Sequence, residues 1–209
     1  MKIVFFGVGA VCSVMATLLD ELSNKSKQKD INFVFVVRNI KKAQGHFFKN
    51  SNILNKSDFL ELKHFEEIFE DSKKYEKYLQ NSDIFINSST PSFNLPIMNL
   101  ALKYNTNYAD LASDIYKDEI ISTLKFDQQI LENEFKSQNL FALINLGISP
   151  GITNFLIGEK IHSLKNLPYE VKIKKLEINL LEEIQSKKLI FSWSPKVAID
   201  ELAFPPVFY

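Results

Sequence analysis

The chain has one cysteine, three histidines and six glycines in 209 residues, and no excess of either charge, with 25 basic side chains against 25 acidic ones. A single thiol, Cys12, excludes an intrachain disulfide and a cysteine-based zinc site. It makes a reducing, cytoplasmic setting the expectation. With only His46, His64 and His162 to add, no metal site is expected. Zero formal net charge argues against nucleic acid or an anionic membrane as the main partner. Internal repeats and low-complexity tracts are lacking too. The one long uncharged run, Ile3 to Leu19 after Met1-Lys2, looks superficially like a signal peptide or a membrane span. Two early glycines, no small-x-small cleavage site after it, and Asp20-Glu21 at its end argue against both.

What is present is ordinary globular composition, 45% hydrophobic and 24% charged, enough for one good core and part of a second domain. Two of the few glycines stand two apart at the start, in Lys2-Ile3-Val4-Phe5-Phe6-Gly7-Val8-Gly9-Ala10-Val11-Cys12. A β-favouring run enters them and a helical pattern, about Ala10 to Leu22, leaves them. That is the context of a dinucleotide-binding fingerprint. Gly7 can make the tight turn, Gly9 lets a pyrophosphate approach the backbone, and the helix start at Ala10 and Val11 offers N–H groups. The third small position of the fingerprint is Cys12. A glycine turn that holds no ligand is the competing reading.

The rest of the chain alternates. Phe33–Val37, Phe59–Leu62, Asp83–Asn87, Thr106–Leu111 and Leu140–Asn145 read as strands, the apolar ones as buried parallel strands. Helices are expected at Lys41–Lys49, at Asp71–Gln80 (mostly exposed), and at Leu95–Tyr104 with Asn94 as N-cap. Two more follow, Asp118–Ser137 with Ile121, Leu124, Ile130, Leu131 and Phe135 inward, and Ile152–Ser163. The pattern favours an α/β doubly wound parallel sheet over residues 1–163. From Leu164 the texture changes. Tyr169–Leu181 alternates as a half-buried strand should, followed by apolar segments at Leu189–Pro195 and Val197–Leu202. The last 46 residues, 164–209, cannot close a core alone, so the chain is expected to be part of a longer one.

Ligands of open α/β sheets lie beyond the carboxyl ends of the strands. Arg38 follows the second strand there, with Lys41 and Lys42 close by. An acidic residue at that place would take a ribose 2′-OH, whereas arginine accommodates a 2′-phosphate, so NADP is favoured with NAD as the alternative. A solvated arginine opening a loop is the plain reading. Ser88, Ser89 and Thr90 could donate to the ribose or pyrophosphate, or could satisfy their own loop. Asp110 could bind a substrate amine or merely end a strand. Pro150-Gly151, opening a helix that contains Asn154, could receive a substrate carboxylate. Trp193 could wall a pocket or sit in a core. No nucleophile–base pair is evident.

Several segments together resemble the saccharopine dehydrogenase family in the broad sense, including saccharopine reductases and carboxynorspermidine dehydrogenases. They are Ile3–Val11, Asp83–Pro91 running on to Leu95–Met98, Tyr108–Leu111, Gly147–Asn154 and Ser192–Pro195. The resemblance implies a Rossmann-type domain using NAD(P), followed by the start of an α+β substrate and dimerisation domain from residue 164. It implies hydride transfer at a C–N bond, secondary amine or imine, of an amino-acid or polyamine substrate, as in lysine metabolism. It sets Pro150, Gly151 and Asn154 between cofactor and substrate, brings Trp193 into the substrate domain, and assigns no acid–base residue. A homodimer through the second domain is a further expectation. A dinucleotide-binding module without catalysis, and a different Rossmann enzyme such as an epimerase or a homospermidine-synthase-like protein, stay open as alternatives.

Overall fold

The computed structural model describes residues 1–26, 30–47, 51–113, 127–148, 151–167, 169 and 171–179. Six strands form one parallel sheet: β1 Lys2–Phe6, β2 Asn32–Val37, β3 Ser57–Glu61, β4 Ile84–Asn87, β5 Asn107–Asp110 and β6 Ala142–Leu143. Their order is β3-β2-β1-β4-β5-β6. This is the doubly wound order that reverses direction at β1. Ile3 pairs with Phe33 on one side and Ile84 on the other, and Phe6 with Val36 and Asn87.

Side chains on a strand point alternately to opposite faces, and both faces here are buried. Val4, Phe6, Val34, Val36, Phe85 and Tyr108 face one way. They pack with Ile68 of α4 (Glu66–Glu70), with Ile97, Met98 and Ala101 of α6 (Asn94–Lys103), and with Phe135 of α7 (Glu132–Ser137). Ile3, Phe5, Phe33, Phe35, Val37 and Ile86 face the other way. Their partners are Cys12 and Ala16 of α1 (Ala10–Ser26), Ala43 of α2 (Ile40–Gly45) and Ile53 of α3 (Ser51–Asn55). Among the described residues the remaining α-helices are α5 (Glu76–Leu79) and α8 (Ile152–Lys165). The chain divides into two compact units, Met1–Gly151 and Ile152–Tyr209. That division falls before α8, where the sequence pattern puts it after Ser163.

Scarce glycine is replaced at helix ends. Asn81, Asn105 and Asn139 adopt the left-handed region just beyond α5, α6 and α7, with φ 56°, 49° and 56°. Behind α6, Thr106 N–H donates to Ala101 O at 2.9 Å and Asn105 N–H to Leu102 O at 3.2 Å. Behind α7, Leu140 N–H donates to Phe135 O at 2.9 Å and Asn139 N–H to Lys136 O at 3.1 Å. Both are Schellman closures, and asparagine tolerates this backbone because its short polar side chain makes local bonds.

Some expectations need correction. The Asp71–Gln80 helix is a 3-10 turn, Ser72–Tyr75, followed by the short α5, and Tyr75 and Leu79 are buried. Asn94 is not an N-cap. It is the first residue of α6, and its side chain is turned inward because buried partners there outweigh a cap bond. Ile130 lies in a 3-10 turn, Asp127–Leu131, whose three-residue repeat rotates it outward from an α-helical face, and it is exposed. Described residues 171–179 form no ladder, and Val171, Ile173, Leu176 and Ile178 are exposed. Alternation fits a sequence for a strand, but only a paired neighbour makes one. Ile121, Leu124, Leu189–Pro195 and Val197–Leu202 lie outside the described residues. Among the described residues, no helix is long and apolar enough to cross a membrane.

Phe35 sits among Phe5, Phe33, Phe47 and Phe59, with ring centroids 5.1–5.9 Å away. Phe35→Ala is expected to cost roughly 3–5 kcal/mol in urea unfolding, for lost transfer energy and the cavity left. A loss below about 1 kcal/mol would mean that these rings do not form one packed core.

Candidate functional site

The parallel pairing of β1 and β4 sets the glycine turn and the Ser88–Thr90 loop side by side at the carboxyl edge. Gly7 has φ 95° and donates its N–H to Val36 O at 2.9 Å. A Cβ built on Gly7 would come within 2.8 Å of Ser89 Cβ, so both backbone and space demand glycine there. A Cβ on Gly9 would meet nothing within 4 Å. The first α1 bond runs from Ser13 N–H to Gly9 O at 3.0 Å. The amides just before Ser13 therefore have no intrahelical acceptor. Ala10 and Val11 are exposed beside it. A pyrophosphate needs a cleared backbone and free N–H groups, and this turn supplies both.

Cys12 packs into the core under the turn. Burial pushes its thiol pKa up to about 12, against a hydrogen bond with Ser88 that pulls it down. The group stays neutral and serves as a small apolar packer.

The hydroxyls of the loop after β4 are engaged within the protein. Ser88 donates its N–H to Phe6 O at 3.0 Å and its hydroxyl to Gly7 O at 2.7 Å. Ser89 donates both N–H and hydroxyl to Asn87 Oδ1, at 3.0 and 2.6 Å. Thr90 and Ser92 share a hydroxyl bond of 2.8 Å. Ser89 and Thr90 stay exposed next to the turn.

Arg38 follows β2 directly and is exposed, and no hydrogen bond or ion pair holds it among the described residues. Its neighbours are already committed. Asn39 caps α2 by accepting from Lys42 N–H at 2.8 Å, and Glu61 Oε2 accepts from Ile40 N–H at 2.7 Å. The Glu61 carboxylate is thus tied to a helix amide.

Asp110 is 1% exposed. Its Oδ1 accepts from Asn145 N–H at 2.8 Å and its Oδ2 from Gln128 Nε2 at 3.1 Å, while its carbonyl takes Leu146 N–H at 2.9 Å. The carboxylate thereby ties two later segments of chain to β5, and both of its oxygens accept bonds from protein. Burial raises its pKa, opposed by the bonds from Asn145 and Gln128. Burial raises the Tyr108 phenol as well, with the charge of Asp110 adding to it.

Gly151 has φ 132°, pairs with Gly147, and could not carry a Cβ without striking the Gly147 backbone at 2.1 Å. Asn154 belongs to the second unit, on α8, where its Oδ1 accepts from Thr153 Oγ1 at 3.3 Å. Pro150 and Trp193 lie outside the described residues. Three residues went unsuspected as parts of this edge: Asn94, Tyr108 and Gln128. Only Asn87 and Asn94, seven apart on either side of a Ser-Ser-Thr-Pro loop, leave a trace of it in sequence.

The model of the saccharopine dehydrogenase NADP-binding domain matches residues 3–143. The chain belongs to this family. Among solved structures, the domain is similar to apo histidine-tagged saccharopine dehydrogenase (L-Glu forming) from Saccharomyces cerevisiae. They share 19% identity and a TM-score of 0.56, over 78% of this chain and 31% of that one. It is also similar to the WlbA (WbpB) dehydrogenase from Thermus thermophilus, solved with NAD and alpha-ketoglutarate. There the identity is 10% and the TM-score 0.48, over 78% of this chain and 47% of that one. At 19% identity the likeness to the yeast enzyme is one of fold. No curated protein matches the chain. The saccharopine dehydrogenase-family domain takes NAD(P) as its cofactor, and the cleared Gly9 with the unbonded amides beside it fit a dinucleotide.

Two outcomes follow from this geometry. Gly9→Ala should leave the melting temperature nearly unchanged, because the methyl meets no protein atom, yet weaken NADPH binding on the order of tenfold by occupying the pyrophosphate's place. Equal affinity in calorimetry would move the phosphates elsewhere. For Asp110, a folded-state pKa raised above the ordinary 3.8 means that the folded protein holds the proton more tightly than the unfolded chain. Its contribution to stability is therefore full below 3.8 and is lost as pH rises through the raised value. Urea unfolding across the carboxylate range should show this decline in wild type relative to Asp110→Asn, and parallel curves would refute it.

Proposed function

We propose that the chain binds NADP(H) in preference to NAD(H), as the cofactor domain of an oxidoreductase acting on the C–N bond of an amino-acid or polyamine substrate. The observation that carries the cofactor choice is the exposed Arg38 at the end of β2, unpartnered among the described residues and beside a glutamate already bound to a backbone amide. A planar guanidinium binds a 2′-phosphate through paired bonds that a carboxylate would repel. The substrate class rests on membership of the saccharopine dehydrogenase family.

When bound, the cofactor supplies hydride exchange with the carbon of the C–N bond. The chain's own residues bind and orient. Gly7, Gly9 and the first amides of α1, at Ala10 and Val11, receive the pyrophosphate, and Arg38 the 2′-phosphate. Ser88, Ser89 and Thr90 form the wall opposite, through their backbone shape. Asp110 braces the substrate side by holding Asn145, ahead of the Gly147–Gly151 turn. Pro150, Gly151, Asn154 and Trp193 are assigned to the substrate side, and residues from 164 onward to a substrate and dimerisation domain, through which two chains associate in the cytoplasm.

Calorimetric titration of wild type and Arg38→Ala with NADPH and NADH tests the cofactor preference. Loss of a charge-assisted pair should weaken NADPH by about tenfold to a hundredfold and leave NADH nearly unchanged. If both nucleotides bind alike and the substitution alters neither, the assignment is wrong.

A further inference from the structure

The dinucleotide reading leaves the loop after β4 as a wall whose position decides the width of the site, and the structure assigns that position to two buried residues that touch no part of the site themselves. We propose that Asn94 and Tyr108 are positioning residues for the dinucleotide, holding the Ser88–Thr90 loop against the Gly7 turn through Asn87. The inference rests on the reading of that turn as the pyrophosphate site.

Asn94 begins α6 and Asn87 ends β4, and they are 3% and 2% exposed. Asn94 Oδ1 accepts from Asn87 Nδ2 at 2.7 Å and from the Tyr108 hydroxyl at 2.9 Å. Its Nδ2 donates to Ala112 O at 2.8 Å. Asn87 is used as fully. Nδ2 donates to Asn94 and, at 3.0 Å, to Thr90 O, while Oδ1 accepts the N–H and hydroxyl of Ser89.

The orientation of both amides follows from donor and acceptor counting. Turned over, Asn87 would set its NH2 against the Ser89 N–H and its oxygen against Thr90 O and Asn94 Oδ1. Asn94 Oδ1, fixed by the Tyr108 proton and by Ala112 O on the far side, is what selects the observed arrangement. Asn87 in turn closes the Ser89–Thr90 turn around its own side chain. Ser88 is tied to Phe6 and Gly7 carbonyls. The loop therefore has one register against the glycine turn, with Ser89 already as close to Gly7 as a methylene allows. A buried chain of this kind, every member satisfied, specifies one arrangement, and a half-satisfied one does not.

The test uses the full chain, titrated with NADPH well below its melting temperature. Tyr108→Phe deletes one oxygen and keeps the ring in the core, and Asn94→Leu removes the acceptor that orients Asn87. Both should raise the Kd for NADPH, Tyr108→Phe by about threefold to tenfold and Asn94→Leu by more, with circular dichroism unchanged. In an Asn87→Ala background the Tyr108→Phe effect on Kd should vanish, because the route is already cut. A lower melting temperature with unchanged Kd would show a role in folding only and overturn the proposal. So would full additivity with Asn87→Ala. Should Asn94→Leu fail to fold, Tyr108→Phe decides alone. Wild type that binds neither NADPH nor NADH would bring down the dinucleotide reading and this inference together. Wild type that binds, with variants that bind equally well, would bring down this inference alone.

Discussion

The parallel pairing of β1 with β4 is the constraint on which the rest of the site depends. It joins segments far apart in sequence and sets Phe6 opposite Asn87. The strand order reverses here, with β2 on one side of β1 and β4 on the other, and the covering helices go to opposite faces. A crevice opens at such a reversal, because neighbouring connections leave in opposite directions. Side chains alternate with period two, so a slip of one residue would exchange the Phe5 and Phe6 faces. Since each face has its own aromatic cluster, burial on both sides locks the register that brings Ser88 over Gly7.

How much of this was legible in the sequence depended on how local the cause was. Buried parallel strands are continuous apolar runs, and Phe33–Val37 and Asp83–Asn87 announce themselves as such. The glycine turn was legible for the same reason: strand, turn and helix are consecutive. Failures occurred where a neighbour decides. With few apolar positions, Asp71–Gln80 reads as a mostly exposed helix, yet Tyr75 and Leu79 are buried in the core cluster that includes Ile97 and Met98 of α6. Ile130 turned outward because a 3-10 repeat replaced the α-helical one. The alternation through Val171 and Ile178 carries no information about a pairing partner, and among the described residues no strand pairs with it and those side chains are exposed.

The site divides along the same line. Arg38 can be found by its place after a strand, since its role needs only an exposed side chain at an edge. Asn94 could not be found that way. By local rules it was a helix cap, the commonest use of asparagine before an apolar run. Its actual bonds come from β4, from β5 and from the loop beyond β5, none adjacent in sequence. Asp110 is similar, a carboxylate at a strand end whose partners, Asn145 and Gln128, arrive from later in the chain. Buried polar clusters are specified by tertiary geometry, and residue type alone records only that something polar is required.

Cys12 shows what the third fingerprint position asks of a residue. Gly7 answers two demands at once, a left-handed φ and the close approach of Ser89, and no side chain meets either. Gly9 answers one, open space toward solvent, and the protein itself would tolerate more there. Cys12 meets neither condition. It lies on the buried face of α1 with Ala16, against Ile3 and Phe5, where the requirement is small volume and no charge. Burial keeps the thiol protonated well above neutral pH, so the helix can lie close to the sheet without an ion beneath it. The third glycine of the motif is therefore a packing constraint, and a cysteine that stays neutral satisfies it, whereas the first two positions are bound to backbone geometry and to the ligand's access.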